Sequence, residues 1–298
     1  MIEISSHAEL VSRCQGDTLC LWAARGLDGR SRAWRSADGT ALAVAGAGLS
    51  TRDRIVVLGA ASALVPLVRD VLEVVGPSFR PLGDPPLTDA LVAGIPQLKR
   101  AATFGWMDYR PPAEPPSAGA GPEAALAGLE AAHTVIDMVA AAAADARRSE
   151  PRSSGPLSGA LAGRSGTPAP GAARWLTDSE IGEVTELLDT GYAQSDARPG
   201  VPGVERWAGV RDSSGRLVAV TALAWSAIDV GYLAGVAVHP AARGQGLGAA
   251  VCGFVLAEAL RDHGAAALMV DQWNDAAIRL YVKLGMRYRP VAVAAVSA

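Results

Sequence analysis

Apolar residues recur along this chain with two different periods, one typical of strands and the other typical of helices. The places where the period changes mark the boundaries of its structural elements. In the C-terminal part, "RWAGVRDSSGRLVAVTALAWS" predicts two strands joined by the turn "DSSG". The stretch "VGYLAGVAVHP" predicts a third strand, which is apolar on both faces and therefore buried in a sheet. Helical spacing follows at 246–263 and in "NDAAIRLYVKLG", with the strand "AALMV" between them and a last pair of strands after them.

A further helix precedes this hairpin and is opened by Thr177 or Asp178, with Glu180 placed as in a capping box. The order of elements over residues 173–298 is therefore helix, three antiparallel strands, helix, strand, helix, strands. This order predicts an α+β (mixed α/β) domain.

The N-terminal part contains fewer predicted elements of the same two kinds. Strands are predicted within "AWRSADGTALAVAG" and at "RIVVLG" and "FGWMDY", and a helix at residues 61–75, "ASALVPLVRDVLEVV". These elements predict a smaller α/β domain over residues 1–110. No group of residues in this part has a spacing that indicates chemistry.

Residues 111–172 differ from both parts because they are dominated by Ala, Gly, Pro and Ser. A segment of this composition cannot bury enough apolar surface to fold alone, so a linker is predicted. Within it, residues 122–148 carry apolar positions at three- and four-residue spacing, which predicts one helix that docks on a neighbouring domain. The chain is therefore divided into domains at 1–110 and 173–298, joined by the linker at 111–172.

Charge and composition exclude several classes of function. The formal net charge of −3 gives no reason to expect a surface that binds nucleic acid or an anionic membrane. The start "MIEISSHAEL" lacks the apolar segment of a signal peptide, and no apolar run approaches the roughly 20 residues of a spanning helix, so a cytoplasmic protein is expected. Cys14, Cys20 and Cys252 are odd in number and lack zinc-site spacing, so neither a disulfide framework nor a metal is expected.

The richest chemical signal is the loop "HPAARGQGLGAA" between the third strand and the long helix. Glycines at 244, 246 and 248 allow the backbone to approach an anion closely, and the first N–H groups of the helix have no intrahelical partner. With Arg243 beside them, these groups predict a pyrophosphate site at the start of the helix.

A dinucleotide-binding fingerprint also fits this loop by its letters alone, because "GQGLGA" matches G-x-G-x-x-A and Asp271 follows at the end of the next strand. That fingerprint requires its first glycine almost directly after a strand in a βαβ unit. Here five residues intervene and the preceding strands form hairpins. The dinucleotide interpretation is therefore rejected.

The run "AGVAVHPAARGQGLG" followed by "NDAAIRLYVKLGM" resembles the GCN5-related N-acetyltransferases (GNAT superfamily) over residues 173–298. The resemblance implies a GNAT (acyl-CoA N-acyltransferase) fold, acetyl-CoA as the acyl donor and no metal. The chain also resembles actinobacterial members in which a degenerate GNAT-like half precedes a complete one. The first half lacks the arginine and the glycine series, so it is expected to bind no coenzyme and to wall the acceptor cleft or complete the sheet.

The resemblance also implies roles for individual residues. Gly235 lies where the family has a bulge, Asn274 would bond the pantetheine, and Tyr281 would face the thioester sulfur as a general acid. Asn274 could equally be a plain helix cap, and Tyr281 a core aromatic. The implied coenzyme-binding set is Val236, Ala237, Val238, Arg243, Gly244, Gly246, Leu247, Gly248 and Asn274.

The implied activity is transfer of an acetyl group to a primary amine by direct attack in a ternary complex. The segment "QSDARPGVPGVERW" lies where the family builds its acceptor site, and Met269 replaces an acidic residue often found there. A coenzyme-binding sensor or assembly protein without turnover is the alternative, and either a monomer or a homodimer is expected. Candidate bases are Glu205, Asp229, His239, Asp271 or a water, and candidate acceptor contacts are Glu205, Trp207, Asp229 and Tyr232.

Overall fold

The computed structural model describes residues 1–111 and 172–297, and in each of these parts the chain follows nearly the same order of elements. Each part contains a short strand, one or two helices, three antiparallel strands, a helix, a strand, a helix and a final strand. In the first part these are β1 (Ile2–Ile4), α1 (His7–Arg13), α2 (Thr18–Ala24), β2 (Ser31–Arg35), β3 (Ala41–Leu49), β4 (Arg52–Gly59), α3 (Ala61–Val75), β5 (Arg80–Gly83), α4 (Pro85–Gly94) and β6 (Leu98–Tyr109). In the second they are β7 (Arg174–Trp175), α5 (Ile181–Gly191), β8 (Val204–Arg211), β9 (Leu217–Ala224), β10 (Gly231–Val238), α6 (Leu247–His263), β11 (Ala266–Asp271), α7 (Asp275–Lys283) and β12 (Arg287–Val296).

All twelve strands form one sheet, in which the two halves exchange their final strands. The strand order is β1-β2-β3-β4-β5-β12-β6-β11-β10-β9-β8-β7. Strand β6 of the first half therefore lies between β12 and β11 of the second, and it is antiparallel to both. Strand β12 in turn pairs with β5 of the first half. Neither half closes its own sheet without a strand from the other.

This exchange corrects the prediction of a last strand pair in the C-terminal part. The chain after α7 forms the single strand β12, and its partner β6 comes from residues 98–109. A strand partner so distant in sequence leaves no local turn signal, so the sequence pattern could not identify it.

The helices cover the sheet in three groups. Helices α1, α2 and α5 lie over one face and share one apolar core that extends across both halves. On the other face, α3 and α4 form a separate core with the first half, and α6 and α7 form another with the second half. Each of these two cores also contains residues of the other half's exchanged strand, Ala294 of β12 under α3 and α4 and Met107 of β6 under α6 and α7. All three cores therefore join the halves, and the shared core is the one that helices of both halves cover.

Aromatic side chains from both halves meet in the shared core. Trp22 of α2 stacks on Tyr232 of β10 with their ring centroids 4.7 Å apart, and it also lies 5.4 Å from Trp106 of β6. The indole N–H of Trp22 donates to the carbonyl of Trp225 at 3.0 Å, and that of Trp106 donates to the Thr18 hydroxyl at 3.0 Å. Each buried polar group of these indoles is thus paired, which allows the aromatic cluster to be dry.

The predicted mixed α/β fold class is confirmed, and several element boundaries agree closely with the sequence pattern. Helix α3 occupies residues 61–75 as predicted, and α6 begins one residue after the predicted start. The capping box is also present, since the N–H of Thr177 donates to the Glu180 carboxylate at 2.9 Å. Helices α1 and α2 and strands β1 and β5 were not predicted, because each has only three to seven residues.

The division into domains at 1–110 and 173–298 remains a prediction, and the predicted linker helix at 122–148 lies outside the described residues. None of the described helices has both the length and the hydropathy that crossing a bilayer requires.

We expect Trp106→Ala to lower the free energy of unfolding by about 3–5 kcal/mol, because it empties the centre of the shared core. Trp106 is fully buried on the exchanged strand. Denaturant unfolding should show one transition for both halves in the wild type and in the variant. Trp273→Ala is the matched control, because Trp273 is 78% exposed and its loss should change stability by less than about 0.5 kcal/mol. Two separate transitions in the wild type would contradict the coupling of the halves through the exchanged strands.

Candidate functional site

The site begins where two neighbouring parallel strands separate. Strands β10 and β11 pair only at Gly231 with Ala266 and at Tyr232 with Ala267, and beyond these residues their edges diverge. On its other side β10 remains paired with β9, but the register shifts between Ala234 and Ala237. The backbone of β10 beyond Tyr232 therefore presents an unpaired edge to the opening.

Gly235 lies in this register shift, where the family resemblance implied a bulge. Its φ of +63° is in the left-handed region that favours glycine. A Cβ atom here would come within 2.6 Å of the Trp207 ring and 3.2 Å of Ala197. Gly235 thus combines an unusual backbone conformation with close packing, and the bulge turns the edge of β10 away from β11.

A cavity of about 790 Å³ fills the opening between these strands. Its walls are the edge of β10, the end of β11, the glycine loop with the start of α6, and α7. The segment after α5 and three residues of the first half complete the lining. The sequence-predicted residues that line it are Tyr232, Val236, Ala237, Val238, Arg243, Gly244, Gly246, Leu247, Gly248, Asp271, Asn274 and Tyr281.

The glycine loop places free backbone donors against this cavity. Gly244 and Gly246 have φ values of +80° and +75°, and Gly246 occupies the N-cap of α6 without a side-chain cap. The first intrahelical bond runs from the N–H of Ala250 to the carbonyl of Gly246. The preceding N–H groups of the first turn therefore need another acceptor, and the positive end of the helix dipole lies at the same point.

Arg243 adds the positive side chain of this loop. Its Nη2 donates to the Gly191 carbonyl at 3.2 Å, and its Nε donates to the Val238 carbonyl at 3.4 Å. These contacts hold the guanidinium beside the end of β10 while leaving it exposed. Free N–H groups and a fixed cation at a helix start form a site for an anion such as a pyrophosphate.

Asn274 acts as the N-cap of α7, because its side-chain oxygen accepts a hydrogen bond from the N–H of Ala277 at 3.1 Å. The capping interpretation is thus confirmed. Asn274 also lines the cavity, so its predicted bond to a bound pantetheine stays a prediction.

Tyr281 lies two turns along α7 and also borders the cavity, although it is only 5% exposed. Burial raises the pKa of its phenol well above the ordinary value. The neighbouring Cys252 belongs to the core beneath α6, and burial raises the pKa of its thiol to about 12. Both groups are therefore protonated near neutral pH, and of these two only Tyr281 lines the cavity.

Four of the predicted acceptor or base residues lie outside the cavity wall. Glu205 accepts a hydrogen bond from the N–H of Ser226 at 2.9 Å, and Asp229 lies 2.8 Å from His7 of the first half. His239 contacts Arg216 at 2.9 Å on another surface. Trp207 is buried beneath Gly235. The structure does not bring these side chains to the cavity. Asp271 does line the cavity, unlike the other three candidate side-chain bases.

Several cavity residues were not predicted individually. Ser195 and Asp196 lie in "QSDARPGVPGVERW", the segment that the sequence associated with an acceptor site, although neither residue was singled out. The residues from the first half carry no motif, and only the exchange of strands brings that half to the cavity. The unpredicted lining residues with polar or aromatic side chains are Ser50, Arg54, Phe104, Tyr192, Ser195, Asp196, Trp225 and Trp273.

Within the described ranges, no cluster of three or more His, Cys, Asp or Glu side chains could hold a metal ion. All three cysteines are buried and free.

Comparison with known proteins gives one clear family match. Residues 175–286 match the model of the acetyltransferase (GNAT) family, and no curated protein sequence matches the chain. Solved structures that are similar over nearly the whole chain include the three that follow. A GCN5-related N-acetyltransferase from Kribbella flavida is 15% identical, with 97% of this chain and 94% of that chain covered and a TM-score of 0.48.

The second is a GCN5-related N-acetyltransferase from Sphaerobacter thermophilus. It is 15% identical, with 96% of this chain and 90% of that chain covered and a TM-score of 0.48. The third is a GCN5-related N-acetyltransferase-like protein from Streptococcus suis. It is 10% identical, with 97% of this chain and 98% of that chain covered and a TM-score of 0.48. At these identities and TM-scores the similarities carry no functional argument, and the family match rests on residues 175–286.

We expect Asn274→Ala to lower the free energy of unfolding by about 1 kcal/mol, because the N–H of Ala277 loses its acceptor. Asn274→Ser should retain most of this stability, since a serine hydroxyl can accept the same bond. Denaturant unfolding of the two variants beside the wild type measures the difference. Equal losses for alanine and serine would contradict the capping role.

Proposed function

We propose, from the membership of residues 175–286 in the GNAT family, that this protein is an N-acetyltransferase that moves an acetyl group from acetyl-CoA to a primary amine. The family supports acyl-CoA-dependent acyl transfer in general. The observation that carries the specific proposal is the anion site at the start of α6, formed by free N–H groups beside Arg243 and open to the large cavity.

The coenzyme would lie along β10 with its pyrophosphate at the glycine loop. Each charge-assisted hydrogen bond there contributes roughly 1.5–3 kcal/mol, and the helix dipole adds about 0.3–1 kcal/mol. The unpaired edge of β10 at Val236, Ala237 and Val238 offers backbone donors and acceptors to the amide groups of the pantetheine arm. Asn274 would bond the same arm from the opposite wall.

The reaction would be a direct transfer. The neutral amine attacks the thioester carbonyl carbon, a carbon–nitrogen bond forms, and the carbon–sulfur bond breaks as the tetrahedral intermediate collapses. The departing thiolate takes a proton from the phenol of Tyr281, which burial keeps protonated. The nitrogen becomes positively charged in the tetrahedral intermediate and loses a proton to water or to a carboxylate of the cavity, for which Asp196 and Asp271 are the candidates. The phenolate of Tyr281 then regains a proton from water.

Direct attack is favoured over an acyl-enzyme because no cysteine of the described residues lines the cavity. The nearest thiol to Tyr281, that of Cys252, is held protonated by burial, and a protonated thiol is a poor nucleophile.

We expect Arg243→Ala combined with Gly246→Val to abolish acetyl-CoA binding, which in the wild type should have a Kd on the order of micromolar. The first change removes the cation, and the second places a branched side chain at a left-handed residue where the pyrophosphate must approach the backbone. Isothermal titration calorimetry measures the affinities and should give one site per chain for the wild type.

Gly264→Val provides the control for this experiment. Gly264 caps the other end of α6 with a φ of +76°, almost the value at Gly246, so the substitution strains the backbone equally but far from the loop. It should bind acetyl-CoA like the wild type. Unchanged affinity in the double variant would mean that the glycine loop is only a helix cap, and two equivalents per chain would mean that the first half also binds coenzyme.

We expect Tyr281→Phe to bind acetyl-CoA as the wild type does but to turn over more slowly, by about 10- to 100-fold in kcat. The ring remains, whereas the proton donor to the leaving thiolate is lost, and such a donor acts mainly as charge develops in the transition state. Steady-state release of free thiol measures kcat and KM. Equal kcat values, with chemistry shown to limit the rate, would remove Tyr281 from the reaction.

Binding of acetyl-CoA without transfer to any amine of a broad panel would instead favour a coenzyme-binding sensor. The intact glycine loop and the protonated phenol at the cavity are the features that favour an enzyme.

A further inference from the structure

One buried charge of the first half reaches the cavity without a protein partner. Arg54 lies near the start of β4 and is only 7% exposed, yet it lines the cavity beside Ser50 and Tyr232. Its position on β4 alternates with that of Ile55, which packs with α3, so Arg54 and Val56 lie on the face of the shared core. The guanidinium is thus presented to the interior between the two halves.

The surroundings of Arg54 do not neutralise it. Among the described residues, no carboxylate oxygen lies within 4.0 Å of its guanidinium, and its buried Nε has no hydrogen-bond acceptor. Burial is the largest effect on the pKa of Arg54 and lowers it. The charges of Arg80 and Arg52 lower this pKa further, whereas Tyr232 and the carboxylate of Asp196, which forms no ion pair with Arg54, raise it. An unpaired buried cation is costly, and a structural role would be served as well by an apolar side chain.

The groups around Arg54 suit a bound anion. Burial raises the pKa of Tyr232 to about 12, so its phenol is a neutral hydroxyl beside the guanidinium and the Ser50 side chain. A guanidinium flanked by hydroxyl groups can bind a carboxylate by two parallel hydrogen bonds. Asp196 lines the same cavity and supplies the opposite charge that an ammonium group would need.

This anion subsite is separate from the predicted pyrophosphate site. Arg54 adjoins Tyr232 near the start of β10, whereas Arg243 is bonded to Val238 at its end. Six residues of extended strand separate these two points, which is about 20 Å. Arg54 and Arg243 are the only arginines in the described lining, so each end of the cavity has a single cationic side chain.

We propose that the acceptor is an amine that also carries a carboxylate, an amino acid or a similar compound, and that Arg54 of the first half binds this carboxylate. The inference rests on the proposed acetyl transfer, which supplies the need for an acceptor in this cavity. A single guanidinium balances the single charge of a carboxylate. Arg54 then selects the acceptor, and the first half contributes specificity to a coenzyme site that belongs to the second.

The test compares amino acids with their carboxamides as acceptors. A panel of free amino acids with α- and ω-amino groups is assayed beside the corresponding amides by release of free thiol from acetyl-CoA. The amide keeps the amine and nearly the same shape but removes the negative charge. For the best acid of the panel we expect kcat/KM in the wild type to exceed that of its amide by about 10- to 100-fold, mainly through KM.

Arg54→Met should reduce this preference to about one, because methionine has a similar reach but no charge. Arg54→Lys should restore part of the preference, since an ammonium keeps the charge but loses the two-pronged geometry. Acetyl-CoA affinity, measured by calorimetry, should be unchanged in both variants. This measurement separates the two proposals, because failure of the wild type to bind acetyl-CoA overturns the proposed function itself.

Thermal unfolding of the ligand-free variants provides the second measurement. If Arg54 is an unpaired charge kept for a ligand, Arg54→Met should unfold at the same temperature as the wild type or higher. A clear fall in the unfolding temperature of Arg54→Met would assign Arg54 a structural role and overturn the inference. Coenzyme binding with equal use of acids and amides, or with better use of amides, would overturn it as well.

Discussion

The pairing of β6 between β11 and β12 is the constraint on which the rest of the molecule depends. Each half ends in a strand that completes the sheet of the other, so the twelve-stranded sheet is continuous only when both halves are present. The same exchange brings α1, α2 and α5 over one shared core, where the rings of Trp22, Trp106 and Tyr232 meet. The halves are therefore joined by backbone hydrogen bonds of the sheet as well as by side-chain packing.

The cavity lies where two neighbouring strands of the same sheet stop pairing. Strands β10 and β11 are parallel and stay paired over only two residues, and the bulge at Gly235, packed against Trp207, follows in β10. The opening exposes a strand edge that no protein strand satisfies, and the glycine loop adds helix N–H groups that no carbonyl satisfies. Both sets of unsatisfied groups face the same space, and an extended ligand with an anionic end would satisfy both at once.

The two halves have the same order of elements but contribute different chemistry. The second half carries the glycines, Arg243, Asn274 and Tyr281, whereas the first half has a helix start without a glycine series. The first half contributes part of the cavity wall, and this part contains one buried cation, Arg54. In the proposed reaction, the second half would bind the coenzyme and Arg54 of the first half would select the acceptor.

The sequence by itself determined the features that depend on neighbouring residues. Helix α3 at 61–75, the start of α6 and the Asn274 cap are set by local spacing, caps and glycine positions, and they could be predicted. The glycine loop that begins at Arg243 could be predicted as an anion site for the same reason, because its glycines and arginine are neighbours in the sequence. The bulge at Gly235 was implied by the resemblance to the GNAT family and not by local spacing.

Only the tertiary structure decided which distant residues meet. The pairing of β6 with β12 and the presence of Arg54 at the cavity depend on contacts between the halves, and Asp229 is held away from the cavity by His7 of the first half. Glu205 and His239 are held away by contacts within the second half, with Ser226 and Arg216. An arginine at the start of an apolar strand is ordinary in sequence. Its burial without a partner arises from packing against elements more than a hundred residues away, and no local pattern encodes that environment.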